Sequence, residues 1–284
     1  LYIKAFGKPF IKLYINMKNI PSIGIFDSGV GGLSVLERLQ HVLPNERLIY
    51  VADSKYAPYG QMTSSDIKRR AFIITDFLTQ HHNIKLLVVA CNTATAACIH
   101  ELREKYCLPI VGMEPAVKPA ISASKKKKIG ILATEGTLKS AKFIALLENY
   151  EGEAIFYVQP CAGLVELIEK GEIHSDLIKK LIHSYLLPLK NNKVDVIVLG
   201  CTHYVFIKKI VEDYFSGMVS VIDTGLAVAL HVERILKEKN LASLESSPSS
   251  PLVYSNGNDI NGSIELLVPS MKNSFIFSRS FTSL

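Results

Sequence analysis

Two cysteines in this chain sit where acid–base chemistry is available to them. In "LVVACNTATAAC" (87–98) a smooth apolar run ends in Cys91 and turns at once to Asn92-Thr93; in "VIVLGCTHY" (196–204) a second run ends in Cys201, followed by Thr202 and His203. Cysteine behaves as a small hydrophobe and is among the most buried residue types, so either one alone reads as core. The recurrence is what a core reading leaves unexplained. Each cysteine falls between a strand end and the expected N-terminus of a helix, where unpaired N–H groups and the helix dipole stabilise a thiolate. That placement predicts a pKa below the usual ~8.5 and a base competent at neutral pH.

Other uses of the thiols fit less well. The chain has five cysteines but no C-x-x-C and no histidine pair at ligand spacing, which argues against zinc and against a thiol redox protein. A disulfide between Cys91 and Cys201 would need Cα atoms within ~7 Å, too close to leave a cleft between two domain faces. Cys98 and Cys107 sit within or just after an amphipathic helical stretch, and packing is the expected role for both. Cys161, in "VQPCAGL", enters a helix from a loop and is a lesser candidate to line a site. The turn "DSGVGGLS" lacks both the P-loop pattern and the spacing of G-x-G-x-x-G. It reads as a tight strand-to-helix turn whose N–H groups could hold a carboxylate as readily as a phosphate. Asp27 at its tip could cap the helix, meet a substrate ammonium or touch a catalytic thiol.

The elements that must position these residues are legible in outline. "SIGIFDSGVGG" predicts a strand and a turn, "LSVLERLQHVL" a helix, "RLIYVAD" a strand, 65–81 an amphipathic helix, "LLVVACN" a strand, "TATAACIHELREKY" a helix ending before Pro109, and "PIVGME" a strand. Strands alternating with such helices imply parallel pairing through right-handed crossovers, hence an α/β fold. The order then repeats. "KIGILATEGTLKS" echoes "SIGIFDSGVGGLS", Cys201 echoes Cys91, and "TGLAVAL" echoes "EPAVKPA", all at nearly constant spacing. These echoes predict two similar, pseudo-symmetric α/β domains with largely parallel sheets. The expected boundaries are 17–115 plus 225–284 for the first domain with a C-terminal tail, and 116–224 for the second. Asp27-Ser28, Cys91-Asn92-Thr93, Thr134 to Thr137 and Cys201-Thr202-His203 all fall at strand carboxyl ends, where ligands bind in open α/β sheets. If the halves face each other, these residues meet in one cleft between them, a preferred place for a small-molecule site.

Composition narrows the class. The chain has 284 residues, 48% hydrophobic and 20% charged, with a net charge of +6. No apolar stretch approaches the ~18 residues of a membrane span. Lys4, Lys8 and Lys12 supply part of the charge, and "KKKK" at 125–128 reads as a solvated turn. Without a basic stripe interleaved with aromatics, nucleic acid is not an expected partner. Free thiols fit a reducing cytoplasm. Residues 1–16 lack the apolar core and cleavage site of a signal peptide and are expected to be an extension that the fold does not need. "ASLESSPSSP" (242–251) reads as a linker or loop, "LVYSNGND" as a late strand and turn, and "SFIFSRSF" as a short alternating segment.

Together, "FDSGVGG", "APYG" (57–60), "ACNTA" (90–94), "GTLKS" (136–140) and "GCTH" (200–203) resemble, in order and spacing, the glutamate racemases. The resemblance runs from about Ile20 to Lys239. It implies a cofactor-independent isomerase that interconverts L- and D-glutamate, supplying D-glutamate for bacterial peptidoglycan, from a site between two α/β domains. Carried over by position, it makes Cys91 and Cys201 the two acid/base thiols, Cys91 acting on D-glutamate and Cys201 on L-glutamate. Asp27 would assist Cys91 and His203 would assist Cys201. Asp27, Ser28, Pro58, Tyr59, Gly60, Asn92, Thr93, Thr137 and Thr202 would hold the substrate. Glu169 in "LIEKGE" matches an acidic family position, although the preceding "PCAGLVE" departs from the commoner "CPLFVPLVE". The α-hydrogen of an amino acid is a very weak acid, and the sequence has no evident pyridoxal-phosphate signature. Inversion then needs one base to remove the proton and a second group on the opposite face to return one, with donors such as Asn92, Thr93 and Thr202 stabilising the carbanion-like transition state. The expected partners are the small-molecule substrate and a second copy of the chain as a homodimer, with no cofactor, metal, membrane or nucleic acid. Aspartate or hydantoin racemases share the two-cysteine logic, and a non-catalytic amino-acid-binding protein could use the same scaffold.

Overall fold

The computed structural model describes residues 20–243, 250–257, 260–271 and, as backbone, 276–277. The first run of elements is β1 (Ser22–Asp27), α1 (Leu33–Val42), β2 (Leu48–Ala52), α2 (Ser64–His82), β3 (Ile84–Val89), α3 (Asn92–Lys105), β4 (Ile110–Gly112) and α4 (Val117–Ala123). The second is β5 (Lys128–Ala133), α5 (Glu135–Leu138), α6 (Ala141–Glu148), β6 (Ile155–Pro160), α7 (Leu164–Glu169), α8 (Asp176–Asn191), β7 (Val196–Leu199), a 3-10 segment (Thr202–Ile207), α9 (Lys208–Tyr214), β8 (Ser220–Ile222) and α10 (Gly225–Glu238). Then β9 (Leu252–Ser255), α11 (Ile260–Leu267) and β10 (Ile276–Phe277) follow.

The strands form two sheets, ordered β10-β9-β2-β1-β3-β4 and β6-β5-β7-β8. Every pairing is parallel. Remove β9 and β10 and the two orders are the same, so the echoes in the sequence correspond to one topology used twice. Strands buried on both faces need continuous apolar runs, which "LLVVA" and "VIVL" supply. Glycine recurs at the same place in the central strands. A Cβ on Gly24 would come within 3.0 Å of Ile84, and one on Gly130 within 2.9 Å of Leu189, so both strands accept a neighbour's aliphatic side chain at close range.

The connecting helices are exchanged between the halves. Helix α4 leaves the first sheet after β4 yet packs on β7 and β8; α10 leaves the second sheet after β8 yet packs on α1 and β4. The chain thus crosses over between Gly112 and Val117 and returns between Ile222 and Gly225.

Two local expectations are corrected. Cys107 is exposed, not packed: α3 ends at Lys105, and beyond it the helical phase no longer turns the residue inward. Cys201 is followed by a 3-10 segment and not by an α-helix. Its side chains Tyr204 and Ile207 are both fully buried, and the three-residue turn places such i, i+3 pairs on one face. Lys125, Lys126 and Lys127 are exposed, and the N–H groups of Lys125 and Lys126 both donate to Asp195 at 2.8 Å, which gives the lysine run its turn. No described helix is long and apolar enough to cross a membrane. Residues 1–16 and most of the Ser/Pro-rich stretch lie outside the described residues.

Candidate active site

With strand orders of this kind, the chain reverses direction across the sheet between β1 and β3 and again between β5 and β7, and ligands bind at such switch points. Asp27 and Cys91 end the first pair of strands; Thr134 and Cys201 follow the second. Both thiols are buried against one cleft.

Cys91 caps α3. Its Sγ accepts the N–H of Ala94 at 3.4 Å and lies 3.9 Å from Ser28 Oγ, to which the thiol donates. Ser28 Oγ donates in turn to Asp27 Oδ1 at 3.4 Å, and Asp27 Oδ2 accepts the N–H of Gly32 at 2.7 Å. Asp27 therefore holds the entry to α1 and reaches Cys91 through Ser28. Burial pushes the Cys91 thiol well above its ordinary range, and the nearby Asp27 carboxylate adds to this; the Ala94 N–H opposes it without prevailing. The lowered pKa expected from the helix terminus is thus corrected for Cys91. One N–H bond does not offset removing a thiolate from water. Burial also raises Asp27, against the charge of His203 and the Gly32 N–H.

Cys201 has a different neighbourhood. His203 Nδ1 lies 3.8 Å from its Sγ, and His203 Nε2 lies 2.5 Å from Glu169 Oε1. The same Glu169 oxygen accepts the N–H of Val30 at 2.8 Å. Burial alone would lower the imidazole; its hydrogen bonds to Cys201 and Glu169 outweigh that and raise it well above the usual value. An imidazolium at this place donates one proton to Glu169 and directs the other at Sγ. The glycines of "DSGVGG" make the approach possible. A Cβ on Gly29 would stand 1.8 Å from Glu169 Oε1, and one on Gly31 would stand 2.3 Å from His203 Nδ1. The Gly-rich turn holds carboxylates through its N–H groups, and they belong to the protein's own Asp27 and Glu169.

Ser28, Pro58, Tyr59, Gly60, Cys91, Asn92, Thr93, Cys201, Thr202 and His203 meet around the cleft. Asp27, Thr137 and Glu169 stand one residue behind this wall, Glu169 behind His203 and Thr137 behind Thr93. Thr134 lines the cleft too, as its strand-end position implied, whereas Val165 was not anticipated. Thr134 also caps α5, its hydroxyl accepting the Thr137 N–H at 3.3 Å. The hydroxyls of Thr93, Thr134 and Thr137 lie 3.0–3.2 Å apart in a triangle that joins the two halves. Asn92 shows the opposite condition: its side-chain Nδ2 and Oδ1 are both buried without a hydrogen-bond partner in the protein. A buried amide so placed leaves its donors and acceptor open to a polar group in the cleft.

The cleft itself is nearly closed, with about 10 Å³ of free space. It adjoins an outer chamber of about 530 Å³ that shares Pro58, Gly60, Thr134 and Val165 and also takes in Cys161. Above this chamber Gln61 Nε2 donates to Glu166 Oε1 at 2.6 Å, linking the halves at the rim. Among the described residues, no group of three or more His, Cys, Asp or Glu side chains is placed to hold a metal ion.

Comparison with known proteins agrees with this geometry. Residues 17–232 match the family model described as Asp/Glu/Hydantoin racemase. A glutamate racemase of Ectopseudomonas mendocina is 47% identical over 247 residues, covering 87% of this chain and 92% of that one. The crystal structure of Escherichia coli glutamate racemase, in complex with L-glutamate and the activator UDP-MurNAc-ala, superposes with a TM-score of 0.80 at 30% identity, covering 91% of this chain and 97% of the other. The Francisella tularensis glutamate racemase, in complex with D-glutamate, gives 0.79 at 25% identity, covering 93% and 99%.

Proposed function

The chain belongs to the Asp/Glu/Hydantoin racemase family, and on that premise we propose that it interconverts L- and D-glutamate by moving protons between two thiols. The observation that carries the reading is the pair of buried cysteines at equivalent switch points, facing one cleft beside the unpartnered amide of Asn92. A thiolate on one face takes the α-proton; the thiol on the other face delivers its own to the opposite side of the carbon. For the reverse reaction the two exchange roles, so the resting proton inventory is restored with each turnover pair.

The other wall residues bind and orient. Hydroxyls of Thr93, Thr134 and Thr202, the Asn92 amide and the N–H groups at the start of α3 supply donors for the substrate carboxylates, where charge builds up in the carbanion-like transition state. Asp27 and Ser28 serve the Cys91 side, while His203 and Glu169 serve the Cys201 side. Free space of about 10 Å³ holds roughly one water. Glutamate therefore enters from the outer chamber as the halves separate, and closure excludes solvent from the reacting carbon. The reading requires no cofactor. It makes the protein a cytoplasmic homodimer that supplies D-glutamate to bacterial peptidoglycan.

The test is isotopic. L-glutamate turned over in deuterated water is expected to give D-glutamate carrying deuterium at Cα from the first turnover, while early recovered L-glutamate stays largely undeuterated. D-product that retains its original hydrogen would remove Cys91 and Cys201 from opposite faces, and absence of any D-product would remove the activity.

A further inference from the structure

Four hydrogen bonds converge on a buried carboxylate that proton transfer does not use. Asp53, at the end of β2, is fully buried, and so is Arg70 on α2 at 2% exposure. Arg70 grips it with Nε on Oδ2 at 2.8 Å and Nη2 on Oδ1 at 2.7 Å. Each oxygen then accepts one more donor: the Tyr59 hydroxyl on Oδ2 at 2.5 Å, and the Asn256 side-chain amide on Oδ1. Tyr59 lines the cleft, whereas Asn256 comes from the other end of the chain.

A buried Arg–Asp pair is a poor source of net stability, because desolvation consumes most of the attraction. Its geometry makes it useful for orientation. The two oxygens left accepting in a fixed plane tie a cleft residue to a remote segment. That segment is brought here by strand register: β9 lies beside β2 with Ala52 opposite Ser255, so Asn256 arrives next to Asp53. Its Oδ1 accepts the N–H of Lys55 at 3.0 Å, fastening the start of the loop as well. The Arg70 guanidinium covers the Tyr56 ring at 4.1 Å. At the far end of the loop a Cβ on Gly60 would be 2.8 Å from Thr134, so small shifts of this loop are felt across the cleft.

We propose that Asp53, Arg70 and Asn256 are positioning residues that set the placement of Tyr59 and Gly60 in the cleft wall, so that the turn at 255–257 governs substrate affinity. The affinity arm of this proposal rests on the reading of the cleft as a glutamate site. The test uses full-length Asn256→Ala and Tyr59→Phe, which leave the Arg70–Asp53 pair intact. Each is expected to raise KM for glutamate about tenfold, the scale of one hydrogen bond to a charged group, with kcat within about threefold. With the Tyr59 link cut Asn256 acts on the loop only through its bond to the Lys55 N–H, so the losses in the double variant should be clearly less than additive. Unchanged KM in both single variants, or additive losses in the double variant, overturns the proposal. Hydrogen exchange of the protein alone supplies a readout that does not depend on the substrate. Amides of residues 54–62 should exchange faster in Asn256→Ala while those of β1 and α1 keep their protection. Acceleration spread evenly over the first sheet, or none, overturns it. If the wild-type protein does not racemise glutamate, the functional reading fails and the exchange measurement alone decides this one.

Discussion

The two cysteines occupy the same place in two copies of one topology, yet their surroundings have little in common. Cys91 caps a 14-residue helix and leans on Ser28 and Asp27. Cys201 precedes a short 3-10 segment, makes no cap bond, and has His203 backed by Glu169. The repeated topology therefore places two thiols on facing walls, and their neighbours make the two walls unequal. Burial, with the Asp27 carboxylate, pushes the Cys91 thiol up, which favours its neutral form. The imidazolium of His203 belongs to the other side. A racemase gains from such inequality, because each turnover needs one acid and one base at the start.

Removing either thiol should have the largest effect. Cys91→Ala and Cys201→Ala are each expected to lower racemisation about a thousandfold, within the usual range for a lost acid or base. The comparison sharpens in deuterated water. With Cys91 replaced, Cys201 should still exchange the α-hydrogen of L-glutamate without producing D-glutamate; Cys201→Ala should do the same for the D enantiomer. Exchange of the same enantiomer by both variants would break the assignment of faces.

A smaller effect, about tenfold, is expected for Glu169→Gln and for Asp27→Asn, which weaken one side each. The enantiomers have equal free energies, so kcat/KM must fall equally in both directions. The asymmetry should appear instead in the α-deuterium isotope effect. It should grow for L-glutamate in Glu169→Gln and for D-glutamate in Asp27→Asn, and identical patterns would show that the two supports do not serve separate thiols.

The histidine itself can be followed by proton NMR. In the folded protein its pKa is raised through Cys201 and Glu169 in spite of burial. Replacing Glu169 by glutamine should lower it. A raised histidine pKa stabilises the fold fully below the unfolded value of about 6.5, and that share is lost as pH rises through the folded pKa. The stability gap between wild type and Glu169→Gln should therefore be widest below about pH 6.5, where the raised His203 is protonated, and should narrow at alkaline pH. A gap that widens with pH would contradict the charged pair. The smallest effects concern the cysteines away from the cleft: Cys98→Ala, which loses buried packing, should cost about 1 kcal/mol, and exposed Cys107→Ala less than about 0.5 kcal/mol by denaturant titration.

Much of this was written in the sequence because it depends on local order. Apolar runs ending in Asp27, Cys91, Ala133 and Gly200 mark strand ends whatever else the chain does, and their repetition exposed the two sheets. What stayed hidden depends on approach across the cleft. Nothing near Glu169 reveals that it would sit behind His203, since that placement is made by the absence of side chains at Gly29 and Gly31. The link from Asn256 to Asp53 joins residues far apart in the chain through a strand pairing with no local signature. Burial decided the rest. Helix position argued for a lowered Cys91 pKa, and full enclosure reversed the direction.

The exchanged helices bear on the order in which the molecule can assemble during synthesis. Residues 117–222 contain the whole second sheet together with α4, which packs on it. The first sheet lacks β9 beside β2, and α1 lacks its cover α10, until residues 225–255 have left the ribosome. The half made second can therefore close before the half made first. Until then β2 presents an unpaired edge, the kind of surface on which nascent chains associate wrongly.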